Sequence, residues 1–99
     1  MMNELAFYAL AGAPDNPRNL LDEVIQAEEL GIGNCFLSER FNIKEAATLS
    51  GAVGAVSEKL GIATAATNHN TRHPVVTGSY ASTMHFLTGG RFALGLGRG

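Results

Sequence analysis

The sequence predicts an α/β fold: the N-terminal portion of a (β/α)8 TIM barrel, with four parallel strands and three helices in the order βαβαβαβ. Three observations lead there. Four short apolar runs alternate with three stretches in which apolar residues recur every three or four positions. A strand–helix–strand crossover is right-handed almost without exception, and successive crossovers of one hand build a parallel sheet. A closed barrel takes at least about 200 residues, and 99 residues supply roughly half of one. No covering helix follows the fourth run, and strands one and four would be apolar, unprotected edges. Residues 1–99 therefore read as a single partial domain, the N-terminal half of a barrel. A small flavodoxin-like domain is the alternative, and it calls for a fifth strand with its own helix.

The first strand is Glu4–Leu10, apolar and aromatic, stopped by Gly12-Ala13-Pro14. Its near-continuous apolar character suits burial on both faces. Asn16-Pro17 starts the first helix, with Asn as cap and Pro at the first helical position. Leu20, Leu21, Val24, Ile25 and Leu30 form its apolar stripe, while Asp22, Glu23, Glu28 and Glu29 read as a solvated face. Gly31 can supply a left-handed C-cap. Strand two is Gly33–Leu37. The second helix runs from Lys44 to Ser57, with Ala46, Leu49, Val53, Val56 and then Leu60 at helical spacing. Gly51 and Gly54 weaken it by about 1 kcal/mol each relative to Ala, and are expected to let it approach the sheet. Strand three is Gly61–Ala66, built of small residues. Pro74 opens the third helix, Val76, Tyr80, Met84 and Leu87 make its buried stripe, and Gly89-Gly90 ends it. Arg91–Gly97 is strand four.

Composition narrows the function. The net charge is −2 with no Lys/Arg run, which gives nucleic acid or an anionic membrane no purchase. The apolar runs are too short to span a bilayer, and MMNELAFYAL lacks a basic leader. Cys35 is the single cysteine, so a disulfide framework is excluded and a reducing, cytoplasmic setting fits. The partner expected is a small molecule, and self-association is compatible with apolar edge strands.

Candidate site residues cluster after the strands, where α/β folds bind ligands. Glu39 and Arg40 follow strand two; adjacent opposite charges are often surface decoration, but here they stand at the mouth of a barrel strand. Thr67, Asn68, His69, Asn70, Thr71, Arg72 and His73 follow strand three. Arg72 just before a helix N-terminus opposes the helix dipole. Either an anion sits between them or a carboxylate of the chain pairs with Arg72. On strand four Phe92, Leu94 and Leu96 share one face, and Ala93, Gly95, Gly97 and Gly99 share a nearly bare one. That face admits either a neighbouring backbone or a flat ligand. GLGRG lacks the spacing of a dinucleotide fingerprint. His69, His73 and His85 have no supporting ligands for a metal, His85 suits a helix C-terminus, and Cys35 reads as core.

LGIATAATNHNTRHP, the helix after it, and GGRFALGLGRG resemble the luciferase-like flavin and deazaflavin oxidoreductases, the F420-dependent members most of all. The pairing of RHP with GGRFALGLGRG is the specific part of the signal, and SERF falls where the family has an acidic-His-aromatic motif. The resemblance covers nearly the whole chain. It implies a (β/α)8 barrel that binds coenzyme F420 or FMN at the C-terminal ends of its strands. It implies that Glu39 touches the coenzyme's ring region and that Thr67 and Asn68 contact the coenzyme. It places Thr64 and Ala65, to within one residue, at a non-prolyl cis peptide behind the ring. Arg98 falls where relatives have a small hydroxyl residue and would sit near the ligand. The family's sugar-phosphate dehydrogenases have a His base at the position of Arg40. A guanidinium cannot act as a base at neutral pH, so that particular activity is not expected, and no catalytic acid or base is assigned. The resemblance thus implies an oxidoreductase that moves hydride between F420 and an organic substrate. The alternatives are an FMN-dependent monooxygenase that uses reduced flavin and O2, and a truncated chain without activity alone.

Overall fold

A computed structural model describes residues 2–40, 42–68 and 70–97, with side chains from residue 4 onward. In chain order it contains β1 (Met2–Tyr8), α1 (Asn19–Glu29), β2 (Ile32–Leu37), α2 (Ala46–Val56), β3 (Gly61–Thr64), β4 (Thr67–Asn68), α3 (Pro74–Leu87), β5 (Phe92–Ala93) and β6 (Leu96–Gly97). The main sheet runs β1-β2-β3-β5 with every pair parallel, and β4 and β6 form a second parallel pair. This is the expected βαβαβαβ path. Strands three and four are each interrupted, however. Between the two pairs, the Thr64 hydroxyl donates to the Gly95 carbonyl and accepts the Gly95 N–H, both at 2.8 Å. A side chain thus replaces one rung of the backbone ladder. The Thr67 N–H to Gly95 O bond, 2.9 Å, then resumes pairing.

The core gathers Leu20, Val24, Cys35, Leu37, Val53, Leu60, Ile62 and Met84 between the sheet and the helices. Cys35 is fully buried, and burial, with the Glu23 charge adding to it, pushes its thiol up to about 12, so it is an inert core residue as expected.

Several local expectations need correction. β1 ends at Tyr8, and Leu5 and Tyr8 are exposed because β1 lies at the edge of the sheet. α1 begins at Asn19, not Pro17. Asn16 Oδ1 accepts the Arg18 N–H, and Asn16 O and Pro17 O accept from Asn19 and Leu20, which makes a tight turn ahead of the helix. Ile25 and Leu30 are exposed, and Ala27 joins Leu20 and Val24 on the buried face instead. α2 begins at Ala46, because Glu45 takes the N-cap and its carboxylate accepts the Thr48 N–H. Gly54 packs against α3 rather than the sheet: a Cβ there would lie 3.2 Å from Thr88 Cγ2, while Gly51 has nothing within 4 Å. On α3, Met84 and Thr77 are buried and Tyr80 is half-buried, but Val76 and Leu87 are each 54% exposed. Gly31, at φ 78°, ends α1 as expected, and Pro74 opens α3.

Glu23 and Glu28 are not part of a solvated face. Glu23 accepts the Leu10 N–H at 2.7 Å. Glu28 accepts three successive N–H groups of the α2–β3 connection, from Glu58 (3.1 Å), Lys59 (2.7 Å) and Leu60 (2.9 Å). Arg91 fastens the same connection from the other side, donating to Ser57 O, Ser57 Oγ and Leu60 O. Burial opposes ionisation of Glu28, but the three N–H groups and the Arg91 charge outweigh it and hold its carboxyl below the usual range. Its contribution is therefore present above the unfolded carboxylate pKa and fades as pH falls through the depressed folded value. Glu28→Gln should cost about 1–2 kcal/mol at pH 7. In urea melts the deficit relative to the parent should shrink on acidification; a pH-independent deficit would count against the ion's role.

Among the described residues no helix is long and apolar enough to cross a membrane.

Candidate coenzyme cleft

The C-terminal ends of β2 and β3 open onto a cleft of about 800 Å³. Residues 38–40 and 42–45 line it, together with residues 65–68, Thr71, Arg72 and Gly97. The β3–β4 junction carries a cis peptide between Ala65 and Ala66, one residue later than the expected Thr64–Ala65 bond. The Ala65 N–H is spent on Leu37 O at 2.7 Å, which fixes the start of this segment to β2. Ala65, Ala66 and Gly97 give this part of the lining no side chain larger than a methyl group, and it forms the cleft's apolar floor. A Cβ on Gly97 would come within 3.1 Å of Ala66 Cβ, so a side chain there would have to push Ala66 aside by a few tenths of an ångström.

Glu39 organises the rim. Its Oε1 accepts the Asn68 N–H (2.8 Å), the Thr67 hydroxyl (3.1 Å) and Arg72 Nη1 (3.4 Å). Its Oε2 accepts the Ala46 N–H (2.8 Å) and Arg72 Nη2 (2.7 Å). One carboxylate thereby joins the loop after β2, the first turn of α2, β4 and the loop before α3. Burial alone would raise its pKa. The hydrogen bonds from Arg72, Ala46, Asn68 and Thr67 outweigh that and bring it from 4.5 down to about 2. Arg72 also binds Glu45 at 2.9 Å and donates to Thr67 Oγ1 at 2.7 Å. Its charge is reinforced, chiefly by Glu39, against the opposing effect of burial. Of the two explanations for an Arg before a helix N-terminus, the chain supplies the second, carboxylates of its own.

Of the residues singled out from the sequence, Glu39, Ala65, Thr67 and Asn68 meet at this cleft, with Arg40 at its edge. Thr64 does not line it, because its hydroxyl is turned into the Gly95 backbone. Arg98, His69 and Gly99 lie outside the described residues. Lys44 and Glu45 escaped the sequence reading, which placed Lys44 inside α2. Lys44 instead runs along the cleft wall, 8% exposed, and its Nζ donates to Leu10 O at 2.8 Å. Glu45 gave no usual signal, because a capping box places Ser or Thr first and Glu three residues later, the reverse of Glu45 and Thr48. On strand four the bare face meets backbone at Gly95, where a Cβ would collide with the Thr64 carbonyl, while Gly97 borders the cleft. Among the described residues no group of His, Cys, Asp and Glu could hold a metal ion.

A flat tricyclic ring such as F420 or FMN carries needs a smooth apolar floor with polar groups at its margin. The Ala65–Ala66–Gly97 floor and the Thr67–Asn68 rim meet that description, and the residues present fit such a ring.

The luciferase-like monooxygenase family matches residues 3–99. A 5,10-methylenetetrahydromethanopterin reductase of Methanopyrus kandleri is 26% identical over 98 residues, 99% of this chain and 28% of that protein. Among solved structures, the coenzyme F420-dependent tetrahydromethanopterin reductase of Methanopyrus kandleri matches 100% of this chain and 28% of its own, with TM-score 0.80 at 24% identity. An F420-dependent secondary alcohol dehydrogenase in complex with an F420–acetone adduct gives TM-score 0.85 at 22% identity, over 100% of this chain and 32% of that one. The oxygenating constituent of 3,6-diketocamphane monooxygenase from Pseudomonas putida, in complex with FMN, gives 0.82 at 22% over 100% and 30%. The chain spans 28% of the length of the curated reductase it matches. The structures share its fold, the strand–helix alternation of TIM-barrel enzymes.

Proposed function

The chain belongs to the luciferase-like monooxygenase family, and from that premise we propose that it forms part of an oxidoreductase moving hydride between bound coenzyme F420 and a small organic substrate. The observation that carries the reading is the cleft itself, a floor without large side chains beneath the Thr67–Asn68 rim at the strand ends. F420 is preferred over FMN because a reductase acting on a methanopterin matches nearly the whole chain, and its solved counterpart is named for that coenzyme.

When bound, the coenzyme supplies the hydride donor and acceptor. The chain's own residues bind and orient it. Ala65, Ala66 and Gly97, which line the cleft with no side chain larger than a methyl group, would pack against the ring. Thr67 and Asn68 would offer it polar contacts. Glu39 would serve the coenzyme site through the hydrogen bonds by which it fixes those two residues, and Thr64 through its reciprocal bonds with Gly95. Arg98, which lies outside the described residues, would add a contact near the ligand. Self-association and a cytoplasmic setting belong to the same proposal, the first resting on exposed apolar strand residues and the second on the single buried thiol.

Full-length protein titrated with F420 and with FMN, followed by absorbance and fluorescence, tests the assignment. F420 is expected to bind saturably and at least about tenfold tighter than FMN; saturation by neither would sink the reading. The FMN-complexed monooxygenase with TM-score 0.82 supports a rival. Oxygen consumption by the protein with reduced FMN would decide for it.

A further inference from the structure

We propose that the cleft takes a substrate bearing an anionic group, a carboxylate or phosphate, held between Arg40 and Lys44. This rests on the oxidoreductase reading and names the substrate class for it. Both residues line the cleft. Their backbones form an antiparallel bridge, with Arg40 N–H to Lys44 O and Lys44 N–H to Arg40 O both at 3.1 Å. Residues facing each other across such a bridge put their side chains on the same side, where like charges repel. Burial first, then the Arg40 charge, disfavour the Lys44 ammonium, and Glu23 only partly restores it.

None of the surrounding carboxylates among the described residues pairs with either cation. Glu39 and Glu45 are both held by Arg72. Glu23 is hydrogen-bonded to the Leu10 N–H. The hydrogen bond that Lys44 makes goes to a neutral carbonyl, that of Leu10. Among the described residues no carboxylate lies within ion-pair distance of Arg40 or Lys44. Arg40 and Lys44 bring two positive charges, Glu23 one negative charge and the Arg72–Glu39–Glu45 cluster one more, so the pair is balanced only by carboxylates engaged elsewhere. Anionic oxygens between the two cations would relieve their repulsion and accept charge-assisted hydrogen bonds from both, with the Arg40 fork suited to two oxygens at once. The pair shares its cleft with the Ala65–Ala66 floor, so a group held there would lie beside the ring. The coenzyme's own phosphate offers the same chemistry, and the test separates the two sources.

Full-length protein would be titrated calorimetrically with inorganic phosphate, first alone and then saturated with F420. Saturable phosphate binding is expected in both states, weakened at least tenfold in Arg40→Gln and within about threefold of the parent in Arg40→Lys. Arg40 is exposed, so its variants should fold; Lys44→Met, which severs the tie to Leu10, would be read only alongside a melt. Parent-like phosphate binding by Arg40→Gln overturns the proposal. So does phosphate binding that F420 abolishes, because the pair then serves the coenzyme. If F420 fails to bind while phosphate binding still depends on Arg40, the anion site stands and the coenzyme reading falls.

Discussion

Replacing Glu39 with alanine is expected to destabilise the protein by about 3 kcal/mol, well beyond the effect of replacing its partner Arg72. The two side chains are 12% and 11% exposed, so neither regains full hydration when the other is lost. Without Glu39, the Arg72 guanidinium keeps only the half-exposed Glu45 as counter-ion. The Ala46 and Asn68 N–H groups lose their acceptor as well, and α2 loses a negative charge at its N-terminus. Arg72→Met is milder, about 1–2 kcal/mol, because two backbone N–H groups and the Thr67 hydroxyl still solvate the carboxylate. The double variant should cost less than the sum of the singles by at least about 1 kcal/mol. Acid titration gives a second readout. The folded pKa of Glu39 lies at about 2 against 4.5 unperturbed. Its stabilisation, on the order of 3 kcal/mol, is therefore complete above pH 4.5 and lost as pH falls towards 2. Urea midpoints measured down this range should fall less steeply in Glu39→Ala. Equal costs for the two single variants, or an unchanged acid slope, would falsify the role given to this carboxylate.

Gly95→Ala should be comparably damaging for an unrelated reason, while two other Gly→Ala changes should stabilise. A Cβ on Gly95 would strike the Thr64 carbonyl oxygen, a backbone atom that cannot rotate away. Relief requires β3 and the Leu94–Leu96 segment to part. That breaks the reciprocal Thr64 hydroxyl–Gly95 bonds and the Thr67 N–H to Gly95 O bond. About 3–4 kcal/mol is expected, the upper range for overpacking. Gly51 and Gly78 lie inside α2 and α3, and a Cβ at either would meet nothing within 4 Å. Alanine at either should add about 0.5–1 kcal/mol by restricting the unfolded chain and favouring helix. Thermal melts of the three variants side by side check the contrast. A Gly95→Ala protein melting with the parent would mean that strand separation is cheap here.

The order of elements was legible because periodicity and punctuation are local. Apolar spacing marks the helices, and Gly31, Pro74 and Gly89-Gly90 mark their ends. The ties between elements left no such trace. Glu28 sits among acidic neighbours and looks solvated, yet its partners are Glu58, Lys59 and Leu60. Glu39 stands next to Arg40 in sequence, but the guanidinium it binds is that of Arg72. Hydrogen bonds from a side chain to distant backbone follow no period, so a sequence pattern cannot announce them. Arg72 did give a usable warning, because a cation before a helix N-terminus needs compensation. The alternation expected along strand four holds only in part: Phe92 packs against the core, Leu96 is exposed, and the strand breaks at Gly95 because of a threonine hydroxyl from another strand. Exposure of Ile25 and Leu30 followed from a buried face that runs through Ala27 instead, a choice that spacing alone leaves open.

The anchoring of the α2–β3 connection by Glu28 and Arg91 has a consequence for how the chain loses structure. Glu28 reaches forward 30 to 32 residues, and Arg91 reaches back 31 to 34. Each span is about one strand–helix–strand unit, so the links join nearest neighbours and skip none. An array coupled in this way opens unit by unit, its stability being close to a sum of units and the junctions between them. Cutting the Glu28 link should accordingly speed amide exchange at residues 57–62 while leaving the β1–β2 ladder protected.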